Sequence, residues 1–458
     1  MDLNSIHNVY FLGIGGIGMS ALARYFHAKG IFVAGYDLTA STITAELEGS
    51  GIPIHYEAAV GNIPKRVVDH ESTLVIVTPA IPADHPELVY FRGKDFIIKK
   101  RAEILGGIFN SRKGIAIAGT HGKTSVTSMT SFILSKSATG CTAFLGGIIK
   151  NINSNLILNE NSPWVVAEAD EYDRSFHQLF PDIGLVTWID ADHLDIYGTD
   201  EKVHESFRKF MQQVKPGGSL ILKKSIGSNV ILNNVKIQTY ALDDPDADFY
   251  AVDIKLDGTN YSFNIQTPDR LIQGIRLQYP GLTNVENAVA AASAAWTAGI
   301  DDLTIANALS EFRGVQRRFD IQYQSQDCIY IDDYAHHPRE LDAVIGSVRK
   351  LYPGRKITGI FQPHLYSRTR DFAEEFAKSL SQLDELILLN IYPAREKPIE
   401  GVTSHLIFDQ LTLDRKHLCR KSELLDILRW KSLDIVMTIG AGDIDRFVEP
   451  IKKLVASR

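Results

Sequence analysis

Two stretches of this chain run from a short apolar segment through clustered glycines straight into a helical period, and that pattern constrains the fold more than any other feature. The first joins a strand read over Val9–Ile14 to a helix over Met19–Lys29 by way of Gly13-Ile14-Gly15-Gly16-Ile17-Gly18. Glycines allow the tight turn and a close approach to phosphate, and the helix start offers unpaired N–H groups and the positive end of its dipole. Asp37 follows the next strand, Ile31–Tyr36, where a carboxylate can bond a ribose hydroxyl. Thr78 closes a further strand, Leu74–Thr78. This loop suits a nucleotide carrying a diphosphate, and the motif alone does not separate a nicotinamide dinucleotide from another such ligand.

The second junction runs from strand Ile115–Ala118 through Gly119-Thr120-His121-Gly122-Lys123-Thr124 into a helix over Thr124–Leu134. Lys123 brings a point charge for the outer phosphates of a nucleotide, and the Thr124 hydroxyl is placed for Mg²⁺. Ile117 stands where a full Walker A loop has its first glycine, so this is the shortened form of that cradle. A simple dehydrogenase has no use for it. Two phosphate loops in successive segments imply two phosphorylated ligands.

Acidic clusters follow the next strands. Glu168-Ala169-Asp170-Glu171 comes after Trp164–Ala167, and Asp190-Ala191-Asp192-His193-Leu194-Asp195 follows Ile183–Thr187. Carboxylates at the carboxyl ends of parallel strands are where α/β enzymes hold metal-bound phosphates. Magnesium takes few protein ligands and retains water, so one carboxylate with Thr124 can hold one ion and His193 with a second carboxylate can hold another. Farther on, Asp332-Asp333-Tyr334-Ala335-His336-His337-Pro338 follows a strand read over Cys328–Ile331. Gln362-Pro363-His364-Leu365-Tyr366-Ser367-Arg368-Thr369-Arg370 follows Lys356–Phe361, and its arginines can grip a carboxylate bidentately. Arg317-Arg318 sits at a segment boundary, suited to reaching phosphates when domains close.

The alternation of strands and helices predicts an α/β chain with parallel, doubly wound sheets. At 458 residues it exceeds one ordinary core, and boundaries are expected near 109 and 314. A polar, alternating stretch near 248–278 reads as a solvated antiparallel excursion. The net charge of -7 argues against nucleic-acid binding, and no run approaches the length of a membrane helix. Cys141, Cys328 and Cys419 are dispersed, which favours a reducing, cytoplasmic setting. A monomer or a homodimer is expected.

The chemistry these parts suit is activation of a carboxylate. Oxide is a poor leaving group, whereas transfer of a γ-phosphoryl group to the carboxylate makes an acyl phosphate that an amine can attack. Positioning and charge neutralisation carry such a reaction. No serine or cysteine nucleophile with an adjacent base is evident.

Gly-Thr-His-Gly-Lys-Thr, Glu-Ala-Asp-Glu, Asp-His-Leu-Asp, Asn284-x-x-Asn287, Arg317-Arg318 and Asp-Asp-Tyr-Ala-His-His-Pro occur in the order found in the Mur ligases of peptidoglycan synthesis, and the resemblance spans essentially the whole chain. It implies an N-terminal Rossmann-like domain for a UDP substrate over 1–108, a central P-loop ATPase domain with a parallel sheet over 109–313, and a C-terminal Rossmann-like domain over 314–458 that binds an amino acid and closes on ATP. It implies ATP and Mg²⁺, and, for the alanine-adding branch that the glycine loop and the His-His-Pro string resemble most, UDP-N-acetylmuramate and L-alanine. Gly15, Gly16, Ile17, Gly18, Asp37 and Thr78 would line the UDP site. Gly119, Thr120, His121, Gly122, Lys123, Thr124, Asn284, Asn287, Arg318 and Asp333 would serve ATP. Thr124, Glu168 and His193 would hold metal. Tyr334, His336 and Arg368 would orient the amino acid, with Lys123, His193, Arg368 and His336 as the catalytic set.

The chain departs from the family pattern in places. Thr283 replaces a histidine before the asparagines, and Leu365 replaces an arginine, so amino-acid recognition would rest on Arg368 and His336. The rival readings are a recycling ligase that attaches an intact peptide, a nicotinamide oxidoreductase built on the first loop, and a non-catalytic nucleotide-binding regulator.

Overall fold

The computed structural model describes residues 6–190, 194–227, 232–394 and 396–458. The chain forms two compact units. One comprises Met1–Asp253, Phe263–Ile275 and Glu286–Glu311, the other Ile254–Ser262, Arg276–Val285 and Phe312–Arg458.

The first unit opens with a five-stranded parallel sheet built from β1 (Asn8–Leu12), β2 (Phe32–Tyr36), β3 (Ile54–His55), β4 (Thr73–Val77) and β5 (Ile97–Lys100), in the order β3-β2-β1-β4-β5. All five residues of β1 are buried, as expected of a central parallel strand covered on both faces. The helix Ile17–Ala28 returns the chain from β1 to β2.

A second sheet follows: β6 (Lys113–Ala118), β7 (Thr142–Ile149), β8 (Ser154–Ile157), β9 (Trp164–Glu168), β10 (Ile183–Val186), β11 (Ser219–Lys223) and β12 (Lys236–Tyr240). Its order is β12-β11-β10-β6-β9-β7-β8, parallel except that β8 turns back antiparallel to β7. The switch in strand order therefore falls at β6, the strand that leads into the second glycine loop, where α/β sheets bind their ligands.

These two sheets share one apolar core. Phe11, Phe26, Leu105, Phe109, Ala116, Phe144, Phe176 and Phe207 belong to a single buried cluster. Phe109, from the helix Arg101–Asn110, is seated over Gly114 of β6, where any Cβ would lie 2.2 Å from the ring. Truncating a ring so placed costs about 3–5 kcal/mol. Polar contacts reinforce the joint. Asn155 of β8 donates to the Ile17 carbonyl (2.7 Å) and to Ser20 Oγ (2.9 Å), and Lys29 pairs with Glu160 at 2.6 Å. The predicted boundary near 109 lies within Arg101–Asn110, inside this joint.

A separate three-stranded sheet, in the order β13-β14-β15, consists of β13 (Tyr250–Asp257), β14 (Asn260–Gln266) and β15 (Leu271–Leu277). Its alternation matches the sequence reading, but only one face is solvated, because Tyr261, Phe263 and Ile265 are buried.

The second unit carries β16 (Asp320–Gln324), β17 (Ile329–Asp333), β18 (Ile357–Phe361), β19 (Glu385–Leu389), β20 (Lys416–Cys419) and β21 (Ile435–Ile439), in the order β16-β17-β21-β18-β19-β20. Only β16 runs antiparallel. The helix Pro338–Leu351 begins with proline at its first position, and His337 caps it by accepting from the Arg339 N–H at 3.4 Å. Among the described residues no helix is long and apolar enough to cross a membrane.

Candidate active site

The second glycine loop leaves β6 at Ala118. Gly119 and Gly122 both take positive φ, +141° and +81°, and Gly122 is the N-cap of the helix Lys123–Lys136. A side chain at Gly119 is excluded by contact as well: its Cβ would lie 2.0 Å from Thr187 Oγ1. That hydroxyl lies under the loop, 3.2 Å from the Ala118 carbonyl and 2.5 Å from that of His121. The Thr120 N–H donates to the Trp188 carbonyl at 2.9 Å. Thr187 and Trp188, just beyond β10, thus set the shape of the cradle.

Lys123 folds back into this loop. Its ammonium donates to the Gly119 carbonyl and, at 2.8 Å, to Glu171, a carboxylate only 2% exposed. Burial works against the lysine charge, but Glu171, Glu168 and Asp170 outweigh it and hold the ammonium above its ordinary range. The Thr124 hydroxyl donates to Glu168 Oε1 at 3.2 Å. Glu168 has room only because residue 146 is glycine, where a Cβ would meet Glu168 Oε2 at 2.1 Å. An adjoining hydroxyl and carboxylate at a strand end are hard oxygen donors, the set magnesium takes, so these residues fit that ion. His121 lies 3.3 Å from Asp190, and a Cβ on Gly122 would sit 3.0 Å from Asn287 Oδ1. The structure therefore brings Gly119–Thr124, Glu168, Glu171 and Asn287 together. His193 lies outside the described residues.

The first glycine loop comes with its own charges. The Gly15 N–H donates to Asp37 at 2.8 Å, so this carboxylate, expected on a ribose, is seated on the loop itself. Gly13, at φ +87°, faces Thr78, with 2.6 Å between a built Cβ and Thr78 Cγ2. Gly16 caps the helix that starts at Ile17. At Gly18 a Cβ would lie 2.8 Å from Nη1 of Arg101.

In the second unit, Asp332 and Asp333 are the last residues of β17, not a loop after it as the sequence reading has them. The strand extends because it is paired on both sides, Asp332 with Asp320 and Thr438, and Asp333 with Ile439. Burial raises the Asp332 carboxyl, against the pull of Arg317 at 3.1 Å and Thr438 at 2.6 Å. Asp333 accepts the N–H groups of Phe319 (2.6 Å) and Ala335 (2.7 Å). Burial pushes its carboxyl up to about 6, opposed by Arg318. This carboxylate ties the Arg317–Phe319 turn, whose ends have φ +61° and +43°, to the loop after β17. Arg317 and Arg318 both lie over the Tyr334 ring, 5.2 and 5.0 Å from its centre. His336 pairs with Glu340 at 3.2 Å, and Glu340 also reaches Arg318 at 3.7 Å. Arg368 is buried within the helix Tyr366–Asp371. Asn284, in this unit, donates to the Pro280 carbonyl at 2.6 Å.

Family models match almost the whole chain: "Mur ligase family, catalytic domain" over residues 8–113, "Mur ligase middle domain" over 117–295, and "Mur ligase, glutamate ligase domain" over 317–442. This chain belongs to the Mur ligase family. Among its Mur ligase relatives, a UDP-N-acetylmuramate–L-alanine ligase of Parabacteroides distasonis is 50% identical, the match covering 100% of this chain and 99% of the relative. One of Phocaeicola vulgatus is 48% identical over 98% of each chain. The solved UDP-N-acetylmuramate–alanine ligase of Thermotoga maritima is 27% identical, with a TM-score of 0.82, over 98% of this chain and 100% of that one.

Within this Mur ligase the structure adds residues that sequence reasoning missed. Thr187, Gly146 and Arg101 carry no local motif. Their importance comes from what lies opposite them across the fold. Glu171 was visible as part of an acidic run, but its pairing with Lys123 was not. Leu365 is buried at φ +71°, and the Ser367 N–H that follows is held by Glu396 at 3.0 Å.

Proposed function

We propose that this chain is an ATP-dependent ligase that joins L-alanine to the carboxylate of UDP-N-acetylmuramate in peptidoglycan precursor synthesis, working in the cytoplasm. The observation that carries this reading is the end-to-end identity of 50% to a ligase of that name. The two phosphate loops supply the physical reason two phosphorylated substrates are used.

The first loop would hold the UDP moiety, and the second loop would hold ATP. Lys123 would exchange its bond to Glu171 for the nucleotide's outer phosphates and offset their charge as the γ-phosphoryl group moves to the substrate carboxylate. Thr124 and Glu168 would hold Mg²⁺, which supplies charge neutralisation on those phosphates. The acyl phosphate is then attacked by the amine of alanine. A C–N bond forms, the C–O bond to phosphate breaks, inorganic phosphate leaves and the nitrogen loses its proton. Tyr334, His336 and Arg368 would orient the amino acid, Arg368 through its carboxylate.

Phosphate release from ATP is the test, measured with purified protein, Mg²⁺ and UDP-N-acetylmuramate, adding one amino acid at a time. Release that rises sharply with L-alanine, with a product heavier by one alanyl residue, is expected. Release stimulated by the intact tripeptide but not by alanine would move the protein to the recycling branch.

A further inference from the structure

Arg101 lies between Gly18 of the first phosphate loop and Asp170 of the acidic run after β9. On one side its guanidinium lies against Gly18 in the first turn of the helix Ile17–Ala28, close enough that a Cβ there would meet Nη1 at 2.8 Å. On the other side its Nη2 donates to Asp170 at 3.1 Å. The residue after Asp170 is Glu171, the carboxylate that holds Lys123 of the second loop at 2.8 Å.

The segment that carries these acids is tightly specified. The other Asp170 oxygen accepts the Tyr172 N–H at 3.0 Å, and the Asp170 carbonyl accepts from Phe176 at 2.9 Å. Asp173 and Arg174 are both held at positive φ, +52° and +55°. Lys100, the neighbour of Arg101, lies 3.6 Å from Asp173. These contacts tie the position of Asp170 to the backbone that carries Glu171. A guanidinium has five N–H donors in a fixed fork, so one arginine can face a phosphate at Gly18 and Asp170 together.

We propose that Arg101 is a positioning residue that couples the filling of the two loops: a diphosphate held at Gly18 draws on the same guanidinium that anchors Asp170, and so changes how firmly Glu171 holds Lys123. The proposal rests on the assignment of the first loop to the UDP substrate and the second to ATP. Coupling of this kind is reciprocal and commonly amounts to about 5–150-fold in affinity.

Calorimetric titration of the full chain with a non-hydrolysable ATP analogue and Mg²⁺, with and without saturating UDP-N-acetylmuramate and without alanine, tests it. In the wild type the Kd for the analogue should fall about tenfold when the UDP substrate is present. In Arg101→Ala it should be the same with and without that substrate. Asp170→Asn, which keeps the shape of the side chain, should lose the coupling to the same degree, and the double variant should lose no more. A merely structural role would alter affinities or melting temperature but leave the ratio intact. Undiminished coupling in both variants, or no coupling in the wild type, overturns the proposal. A wild type that binds neither ligand would overturn the assignment beneath it instead.

Discussion

The ammonium of Lys123 is held 2.8 Å from the carboxylate of Glu171, so the cation assigned to nucleotide phosphate has an internal partner already in place. Glu171 is buried and Lys123 is only slightly exposed, so each offsets a charge that burial disfavours. The pair gives the second loop a preset geometry that ligand phosphate would take over by exchange.

Replacing Lys123 with Met should therefore have two separable effects. Turnover should fall by at least about 10²–10³, as expected when a transition-state cation is removed. Stability should fall by about 3–5 kcal/mol, because the buried carboxylate of Glu171 loses the cation that offsets its charge. Chemical denaturation of the double variant K123M/E171Q should recover most of the stability and none of the activity. Binding of UDP-N-acetylmuramate should persist in both, since it depends on the first loop.

Gly146→Ala isolates the seat of Glu168. The added methyl would lie 2.1 Å from Oε2, so the carboxylate must leave the seat in which it meets Thr124. The concentration of Mg²⁺ for half-maximal rate should rise roughly 10–100-fold, the usual effect of disturbing the support of a metal ligand. A variant with wild-type metal dependence would remove Glu168 from that role.

Asp333 has a pH signature. Its carboxyl titrates at about 6 when folded, above the ordinary 3.8, so the native state holds the proton more tightly than the unfolded chain. The stabilising contribution is complete below the unfolded value and is lost as pH rises through the folded one. The melting temperature of the wild type relative to Asp333→Asn should accordingly decline between about pH 4 and pH 7. A constant difference across that range would refute the assignment.

Arg317 is the countercharge of Asp332, whose side chain is fully buried. Arg317→Ala should cost about 3–5 kcal/mol in denaturant unfolding. Arg317→Lys should recover only part of it, because the native guanidinium serves Asp332 through Nε and the Gly440 carbonyl through Nη2 together, a fork that an ammonium cannot form.

Much of the framework was legible from local pattern. The strands read over Trp164–Ala167 and Lys356–Phe361 are Trp164–Glu168 and Ile357–Phe361, and the helix read over Thr124–Leu134 is Lys123–Lys136. Such elements are written in neighbouring residues, so periodicity and turn chemistry suffice. The end of β17 was misread because two aspartates look like a loop, and only pairing across the sheet with Asp320 and Thr438 makes them strand. Arg101 was invisible for the same reason. Its partners, Gly18 and Asp170, are remote in the chain, and one sequence holds no record of who meets whom. The glycines at 119 and 122 were legible as a motif, but the hydroxyl of Thr187 that shapes their loop was not.

The shared core of the first two sheets bears on how this chain can be cut. Family models change at residues 113–117, yet Phe109 is seated on Gly114 and Asn155 holds the first helix across that seam. A fragment ending there would expose Phe26, Leu105 and Phe109 to water and lose the partners of Ile17 and Ser20. The segment that reads as a module is thus half of a cooperative unit, and inheritance of the two halves together follows from their common interior. Chimaeras that exchange residues 1–113 alone would have to bring a matching surface around Phe144 and Asn155 with them.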